Sequence, residues 1–498
     1  MNNKTKQIIK TISKIKAKLL LTALVLAFVS IQVFAIDLGR LDWTTNQTYD
    51  VGDGNYFQNL TATNGGAVSI VGVTSFALTG TSVTFMNNIA GGGNGGAIYI
   101  NNSIGVFTIN TVYFTNNSAT TTGAGNGGAI SVQNGSSITF NGDYIRFAGN
   151  SAEGTSQKGG GAIYINASDV IMNVNTVIFD YNYARTDGGS FLLHDGARFI
   201  VPWQVDSMTL MGARGNYGPG MYVMNSQAIF MAKEVKIIDN SAAQYGGAMR
   251  LTSRAVVMLE DIVIFGSTAH RSKVYFEKNT ASYGGVISFD TANTTGSISF
   301  INVDIQATSN VANNNGGVIY LGIFSGGYPT NSIIQFINSS SSFIGNSAQF
   351  GASIYLDGAD GSNKVIFDGG SVEFTSNASL AANSEGNIAI INGSMEIKNL
   401  ISMVARSNRA ASGGFLYVPS LVFNFNGALM EMIGNTAFGT GLYGRGGAFY
   451  LDGATATFAG SEMNFKENVA LLGGALYATG GASVTFAGEN MNFIGNIA

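Results

Sequence analysis

The sequence has 498 residues with 67 Gly, 4 Pro and no Cys, and its formal net charge is −4. Charged residues make up 11% of it, less than half of the roughly 25% usual in soluble domains, whereas 45% hydrophobic residues exclude a disordered chain. High Gly without a three-residue period excludes collagen, and two His with no Cys leave too few ligands for zinc, haem or iron–sulfur chemistry. No cofactor is therefore expected.

The N-terminal segment, residues 1–35, has the features of a signal peptide. Six Lys are the only charged residues before Asp37, and an apolar run from Leu19 to Phe34 ends at Ala35, which fits the small-residue pattern of signal cleavage. The alternative is an uncleaved membrane anchor. Without these Lys the charge is (25 − 6) − 29 = −10, which argues against nucleic acid as a partner because nucleic acid rewards clustered cations.

The rest of the chain is one repeat, from residue 65 to residue 498. Units begin with Gly at a mean interval of 408/13, or about 31 residues. The unit starts are Gly65, Gly95, Gly127, Gly160, Gly188, Gly218, Gly246, Gly284, Gly316, Gly351, Gly386, Gly413, Gly446 and Gly473.

A second motif, Phe-x-x-Asn, follows in nine units, often with Ala two residues after the Asn. Its copies are Phe85/Asn88, Phe114/Asn117, Phe147/Asn150, Phe179/Asn182, Phe276/Asn279, Phe343/Asn346, Phe374/Asn377, Phe465/Asn468 and Phe493/Asn496. We expect this Asn to adopt the left-handed region, to bond its own turn and to form a ladder with the Asn of stacked units.

The unit predicts an all-β fold. A period near 31 also suits helical repeats, but Gly and Asn interrupt every candidate helix. Short runs rich in β-branched and aromatic residues, such as those at 97–100, 137–140 and 455–458, are bounded by turn residues. Two or three such strands in each unit favour a parallel β-helix of about 14 coils, with Gly-Gly at a corner where a Cβ would clash.

Two stretches depart from the regular repeat. Residues 36–64, with Trp43, Tyr49 and Tyr56, are expected to cap the first coil. Trp203 and the Met-rich stretch after it mark the least regular coils, where Met is expected to act as adaptable core filler.

The alternation of Gly-Gly-Ala-Ile, -Leu or -Val with Phe-x-x-Asn resembles the polymorphic outer membrane proteins of chlamydiae. The motif glycines that carry the resemblance include Gly95-Gly96, Gly127-Gly128, Gly160-Gly161 and Gly473-Gly474. The resemblance implies a right-handed β-helix passenger that is exported, displayed by an autotransporter barrel, and active in adhesion and self-association through its repeats. No alternating barrel strands follow Gly473, and the chain stops at Ala498, so we expect a truncated passenger whose outer-membrane attachment lies in a missing C-terminal region.

The acidic residues that follow strands are interpreted as turn residues. Asp195, Asp357 and Asp452 each precede a Gly, and a carboxylate cluster there would suit calcium or sugar chemistry. Equivalent places hold Asn134 and Asn392, and exchange of Asp for Asn fits a turn but not a general acid or base. We expect no catalytic residue, no metal site and no enzyme activity.

One loop is the best candidate for a partner contact. His270, Arg271 and Lys273 lie in the longest unit, residues 246–283, and insertions project from one face of a solenoid. His194 is expected in an exposed turn, because no nucleophile or orienting residue can be placed beside it.

These observations predict an exported adhesin or structural passenger at the cell outer membrane surface or outside the cell. Its partners would be a surface protein or glycan of a host or neighbouring cell, together with self-association. Two alternatives stay open: a β-helix lyase or hydrolase acting on extracellular polysaccharide, and a secreted filament protein that assembles through open strand edges.

Overall fold

The structure is a computed structural model that describes residues 35–120, 125–155, 159–252, 261–289, 296–322, 331–358, 363–419, 422–441 and 443–498. The predicted signal peptide, apart from Ala35, lies outside these residues. The described part of the chain has no helix, and so none that is long and apolar enough to cross a membrane.

The first sheet is built from the short strands that follow the Gly starts. It has 15 strands among the described residues, each paired in parallel with its neighbours. They are Leu41–Trp43, Val68–Val71, Ile98–Asn101, Ile130–Gln133, Ile163–Asn166, Phe191–His194, Met221–Met224, Met249–Thr252, Ile287–Phe289, Ile319–Leu321, Ile354–Asp357, Ile388–Asn392, Leu416–Pro419, Phe449–Asp452 and Leu476–Thr479.

The second sheet holds the long strands that carry the Phe residues. In several coils one long strand crosses the whole face, and in others it is split in two. The strands are Gln47–Asp50, Asn55–Gln58, Phe76–Met86, Ile104–Thr115, Ser137–Ala148, Asp169–Asp180, Arg198–Val201, Ser207–Met211, Gln227–Phe230, Glu234–Ile238, Asp261–Gly266, Ser272–Glu277, Gly296–Ile301, Val303–Thr308, Ile333–Ile344, Lys364–Thr375, Ser394–Arg406, Val422–Ile433, Thr455–Phe458, Glu462–Lys466, Ser483–Phe486 and Asn490–Ile494.

The third sheet consists of very short strands after the Asn of each coil. In the described residues it has 13 strands, again paired in parallel. They are Thr61–Ala62, Ile89–Ala90, Ser118–Ala119, Ser151–Ala152, Tyr183–Ala184, Arg214–Tyr217, Ser241–Tyr245, Thr280–Ala281, Val311–Ala312, Ser347–Ala348, Ala378–Ser379, Arg409–Ala410 and Thr436–Ala437.

Parallel pairing in sequence order makes the chain a β-solenoid. Each strand pairs with the equivalent strand one repeat later, as Ile130 does with Ile163 and Phe147 with Phe179. Because side chains alternate across a strand, the Ile and Phe of these pairs face the interior and are fully buried. The prediction of a parallel β-helix is confirmed, and the fourteen Gly starts enclose about 13 turns.

Residues 36–64 continue all three sheets rather than forming a separate structure. Leu41–Trp43 pairs with the strand at 68–71, and Thr61–Ala62 pairs with Ile89–Ala90. The Trp43 side chain is only 3% exposed, and its ring lies 6.3 Å from Tyr49 and 6.1 Å from Phe76. Aromatic packing therefore fills the interior at this level of the stack.

Candidate functional site

The motif glycines form a sharp corner before the first sheet. The first Gly of each of the fourteen starts has φ between 48° and 69°, where residues with a Cβ are strained. A Cβ on Gly95 would lie 2.1 Å from the Ile98 carbonyl oxygen, and one on Gly96 would lie 2.0 Å from the Gly128 carbonyl oxygen. Gly127-Gly128, Gly160-Gly161 and Gly473-Gly474 meet similar backbone contacts.

Most of the motif Phe residues stack along the solenoid axis, whereas the Phe276 ring stands edge-on to Phe265 and Phe300. The rings of Phe57, Phe85, Phe114, Phe147 and Phe179 follow one another at 4.6–4.8 Å with interplanar angles of 3–7°. This interval equals the strand spacing of about 4.8 Å, so each ring covers the one below. Near the other end, Phe465 and Phe493 stack in the same way at 4.7 Å.

The motif Asn residues form a buried hydrogen-bond ladder. The Asn117 side chain accepts bonds from the backbone N–H and the Nδ2 of Asn88 at 3.0 and 2.9 Å. It donates from Nδ2 to the Phe85 carbonyl and to Asn150 Oδ1, both at 3.0 Å. Asn468 and Asn496 repeat the pattern. Each amide is therefore satisfied inside the protein, which removes the cost of burying it.

The expectation that the ladder Asn itself is left-handed is wrong. The residue just before it has positive φ, as in Asn116 at 52°, Tyr181 at 52° and Glu467 at 56°. Positive φ is strained for such side chains, but it turns the next residue inward, so that the Asn amide reaches the coils on both sides. Strain at one exposed position thus supports bonding at a buried one.

The ladder extends beyond the nine predicted copies and has one break. Asn240, Asn310, Asn408 and Asn435 take part although no Phe stands three residues before them. Ala213 occupies the equivalent place in the coil between Asn182 and Asn240, and its backbone N–H still donates to Asn240 Oδ1. Among the described residues two ladders result, from Asn88 to Asn182 and from Asn240 to Asn496.

The turn acids are not brought together into a metal site. Asp195 has φ of 51° before Gly196, and Asn134 has φ of 56° before Gly135, as expected of interchangeable turn residues. His194 does not lie in an exposed turn as expected: it ends the strand Phe191–His194, its side chain is 14% exposed, and its Nδ1 lies 2.8 Å from Asp195 Oδ2. Within the described ranges no group of three or more His, Cys, Asp or Glu could hold a metal ion.

The predicted partner loop contributes to an exposed corner of the second sheet. The His270 ring stacks on Trp203 with centroids 4.4 Å apart and planes 18° apart, and Trp203 is 45% exposed. These residues belong to coils separated by one intervening coil. The connections at 202–206 and 267–271 have five residues, whereas the one between them, 231–233, has three, so the two aromatic rings meet above the shorter connection.

The two cations have different surroundings, and only Arg271 lies in a connection as predicted, because Lys273 belongs to the strand Ser272–Glu277. Arg271 forms an ion pair with Asp304 and donates to Asn302 Oδ1 at 3.2 Å and to Ser340 Oγ at 3.1 Å. The hydrogen bond to Asp304, together with the charge of Asp304, raises the already high pKa of Arg271. Lys273 is exposed, and no ion pair to it occurs among the described residues. Arg271 therefore ties coils together, whereas Lys273 is accessible to a ligand.

A titratable cluster on the outer face of the first sheet was missed from the sequence. Arg445 Nη1 donates to the Tyr450 hydroxyl at 2.9 Å, and that hydroxyl donates to Asp452 Oδ2 at 3.4 Å. The Tyr417 ring lies 5.0 Å from that of Tyr450. Burial raises the pKa of Glu385, and the charge of Asp452 adds to the shift. These groups come from different coils, so only the stacking register places them together.

Three segments match the model of the Chlamydia polymorphic membrane protein repeat, at residues 82–101, 111–133 and 144–166. This chain carries repeats of the Chlamydia polymorphic membrane protein type. Comparison with curated proteins and comparison with solved structures gave no match. The resemblance seen in the sequence is thereby confirmed.

Each matched polymorphic membrane protein repeat covers the same part of a coil. The segment at 111–133 runs from the second half of a long strand, through Phe114 and Asn117, to the first-sheet strand at 130–133. Phe114 and Asn117 are 0% exposed, so their side chains cannot contact a partner in the folded chain. In these coils the motifs build the solenoid, and only outward-facing residues are available for binding.

Proposed function

We propose that this chain is an exported surface passenger of the polymorphic membrane protein type, which adheres to a protein or glycan on a host or neighbouring cell without catalysing a reaction. The observation that carries the proposal is the division of labour within each repeat. The motif residues are buried in the ladder and the stack, while alternate residues of the same strands face outward. The outer face can therefore vary without loss of the fold.

Adhesion is tested with beads coated with the purified full chain and presented to cultured cells. We expect binding above that of beads coated with serum albumin, and loss of binding when soluble chain competes. Protease and glycosidase treatment of the cells separates a protein partner from a glycan partner. Equal binding by both kinds of bead would overturn the proposal, and light scattering of the soluble chain measures self-association independently.

Export is tested on the same chain. We expect mass spectrometry of protein from a secreting bacterial host to find Ile36 at the new N-terminus, because Ala35 ends the apolar run. Recovery of an uncleaved chain in the membrane fraction would instead support the anchor.

A second candidate, hydrolysis of an extracellular polysaccharide, is favoured by the cluster of Glu385, Asp452 and Arg445. A carboxyl group with a raised pKa within electrostatic reach of a second carboxylate is an arrangement that can serve acid–base chemistry. Reducing-end assays over a polysaccharide panel test it, with Glu385→Gln as the matched variant. If the wild type releases reducing ends and the variant does not, polysaccharide hydrolysis becomes the function supported for this chain in place of adhesion.

A further inference from the structure

A groove of about 400 Å³ lies on the outer face of the second sheet. It crosses five successive parallel strands, at 272–277, 303–308, 333–344, 364–375 and 394–406. Since neighbouring strands are about 4.8 Å apart, the groove follows the axis of the solenoid. We call it the outer groove.

Two registered columns of side chains line the outer groove. One column is Lys273, Asp304, Ser340, Ser371 and Ser402, and the other is Tyr275, Gln306, Ser342, Glu373 and Val404. Beyond the serines the same columns hold long side chains in the flanking coils, Glu234 and Lys236 at one end and Leu429 and Glu431 at the other. The groove is therefore a trough whose smallest lining side chains are the serines.

The polar groups of the outer groove are mixed donors and acceptors. Lys273 and Tyr275 stand at one end, with the amide of Gln306 beside them on the next strand. Lys236, in the preceding coil, approaches the Tyr275 ring at 5.9 Å from its centroid. Glu373 accepts a hydrogen bond from Thr375 at 2.8 Å, which orients its carboxylate. An amine, a phenol ring, an amide, a carboxylate and hydroxyls all converge on one trough.

The charges of the outer groove nearly cancel. Asp304 is neutralised by Arg271, which leaves the amine of Lys273 and the carboxylate of Glu373 as opposite charges. The whole chain has a formal charge of −4, so its long-range field does not attract polyanions. This balance of charges favours an uncharged ligand that is rich in hydroxyl groups.

A peptide is a poorer fit for the outer groove. The strands beneath it are paired on both sides, so no edge is free for a peptide to extend the sheet. Among the outward-facing lining residues only Tyr275 and Val404 offer an aromatic or aliphatic surface, which gives an anchoring apolar side chain few partners. Instead, polar groups recur at the strand spacing of about 4.8 Å, which is close to the length of one pyranose unit.

We propose that the outer groove binds a neutral oligosaccharide along the solenoid axis, with one sugar ring stacked on Tyr275 and the following units over Gln306, Ser340 and Ser371. The inference rests on the proposed adhesive function and assigns its partner as a neutral cell-surface glycan. Lys273, Gln306 and Glu373 would bond the sugar hydroxyls, and the serine floor would admit the chain without a steric clash.

The test measures binding of the full chain to cellohexaose, chitohexaose and a linear N-acetyllactosamine hexasaccharide by isothermal titration calorimetry. Ser371→Arg fills the floor with a long side chain, and we expect affinity to fall at least about tenfold, or below detection. Tyr275→Ala removes the stacking ring, and we expect a two- to tenfold loss. Thr176→Arg is the matched control, because Thr176 occupies the same outward column six coils earlier, outside the groove.

The outcomes distinguish failure of the proposed glycan groove from failure of the proposed adhesive function. The proposal is overturned if none of the three hexasaccharides binds, or if Ser371→Arg and Thr176→Arg behave alike while circular dichroism shows both to be folded. If the groove proposal fails in this way but cells still bind beads coated with the wild-type chain, the adhesive function is retained and the binding surface lies outside the outer groove. If the chain binds a hexasaccharide but the coated beads do not adhere to cells, the glycan-binding groove is supported and the adhesive function is contradicted.

Discussion

The coils at 95–184 and the coils at 188–252 fill the interior of the solenoid with different residues. In the first region unbroken strands such as Ser137–Ala148 carry Phe in the stack and Asn in the ladder. In the second region each long strand is split in two, Leu210 and Ile237 replace the motif Phe, and Ala213 replaces an Asn. The parallel register nevertheless continues through both.

The difference shows that parallel backbone pairing is enough to continue the solenoid, and that the motifs add ring stacking and side-chain hydrogen bonds to its interior. In the coils at 95–184 each second-sheet strand runs unbroken across its face. In the coils at 188–252 these strands are split by connections, and one of the connections exposes Trp203, which stacks on His270. An exposed aromatic contact thus arises at the irregular coils, whereas on the regular coils only the outward-facing residues, such as those of the outer groove, are available to a partner.

The largest expected effect comes from the corner glycine of a regular coil. Gly127 has φ of 67°, and a Cβ there would lie 2.1 Å from the Ile130 carbonyl oxygen, so Gly127→Ala combines left-handed strain with a backbone clash. We expect a loss of about 2–5 kcal/mol in local stability, measured by hydrogen exchange of the amides at 128–133. Gly135→Ala is the control, since Gly135 also has positive φ, at 76°, but has nothing within 4 Å of its Cβ. Equal losses in the two variants would show that the clash is relieved and that conformational strain alone matters.

The next effect comes from the middle of the first ladder. Asn117→Ala leaves the Phe85 carbonyl and the Asn88 amide without their partners in the interior, which costs about 1–3 kcal/mol. Thermal and urea unfolding followed by circular dichroism measure the change. Asn173→Ala is the control, because Asn173 makes the same kind of bond to Asn141, at 3.0 Å, but on the exposed face. We expect that control to change stability little, and a large loss there would mean that burial is not what gives the ladder its value.

A gain is expected where the ladder is broken. In Ala213→Asn the new amide would accept from Asn182 and donate to Asn240, joining the two ladders. At about 1 kcal/mol for each net hydrogen bond, we expect a stabilisation of about 1–2 kcal/mol and slower hydrogen exchange in the coils at 207–245.

Ala213→Leu provides the matched comparison for this gain. Leu has the same branched side-chain skeleton as Asn but is bulkier and has no amide, so it tests added bulk without the hydrogen bonds at a site that is 0% exposed, and we expect it to destabilise the protein. If Asn destabilises as much as Leu does, the irregular coils have closed the space that the rung would need.

Much of this molecule could be predicted from its sequence because a solenoid repeats local rules. Corner glycines such as Gly95 and strand residues such as Ile98 act within one unit, so a single unit reveals them. The left-handed position escaped prediction because it holds residues as different as Asn116, Tyr181 and Glu467, and its only constant feature is the Asn that follows.

Contacts between coils were harder to predict than contacts within them. Trp203 and His270 are 67 residues apart, and they meet only because two connections of equal length enclose a shorter one. The cluster around Glu385 and Asp452 likewise depends on the stacking register and on which outward side chains are long. Neither pattern can be detected from the spacing of residues within a single repeat.

The smallest expected effect is a change in the pH dependence of stability. It concerns Glu385 on the outer face of the first sheet, whereas the amides of the buried ladder do not titrate. Burial raises the pKa of Glu385 above its ordinary value of 4.5, so the folded state holds this proton more tightly than the unfolded state does. As pH rises from about 4.5 through the folded pKa, the ionised carboxylate in its half-buried site removes stability, and the loss is complete once both states are ionised. Glu385→Gln should therefore flatten the decline in unfolding free energy over that window and leave stability slightly higher at pH 7. Glu373→Gln, at a carboxylate on the outer face of the second sheet, is the control, and unfolding by urea between pH 4 and pH 8 measures both. If the pH dependence of the unfolding free energy is the same in Glu385→Gln as in the wild type, water reaches this carboxylate and screens it from Arg445 and Asp452.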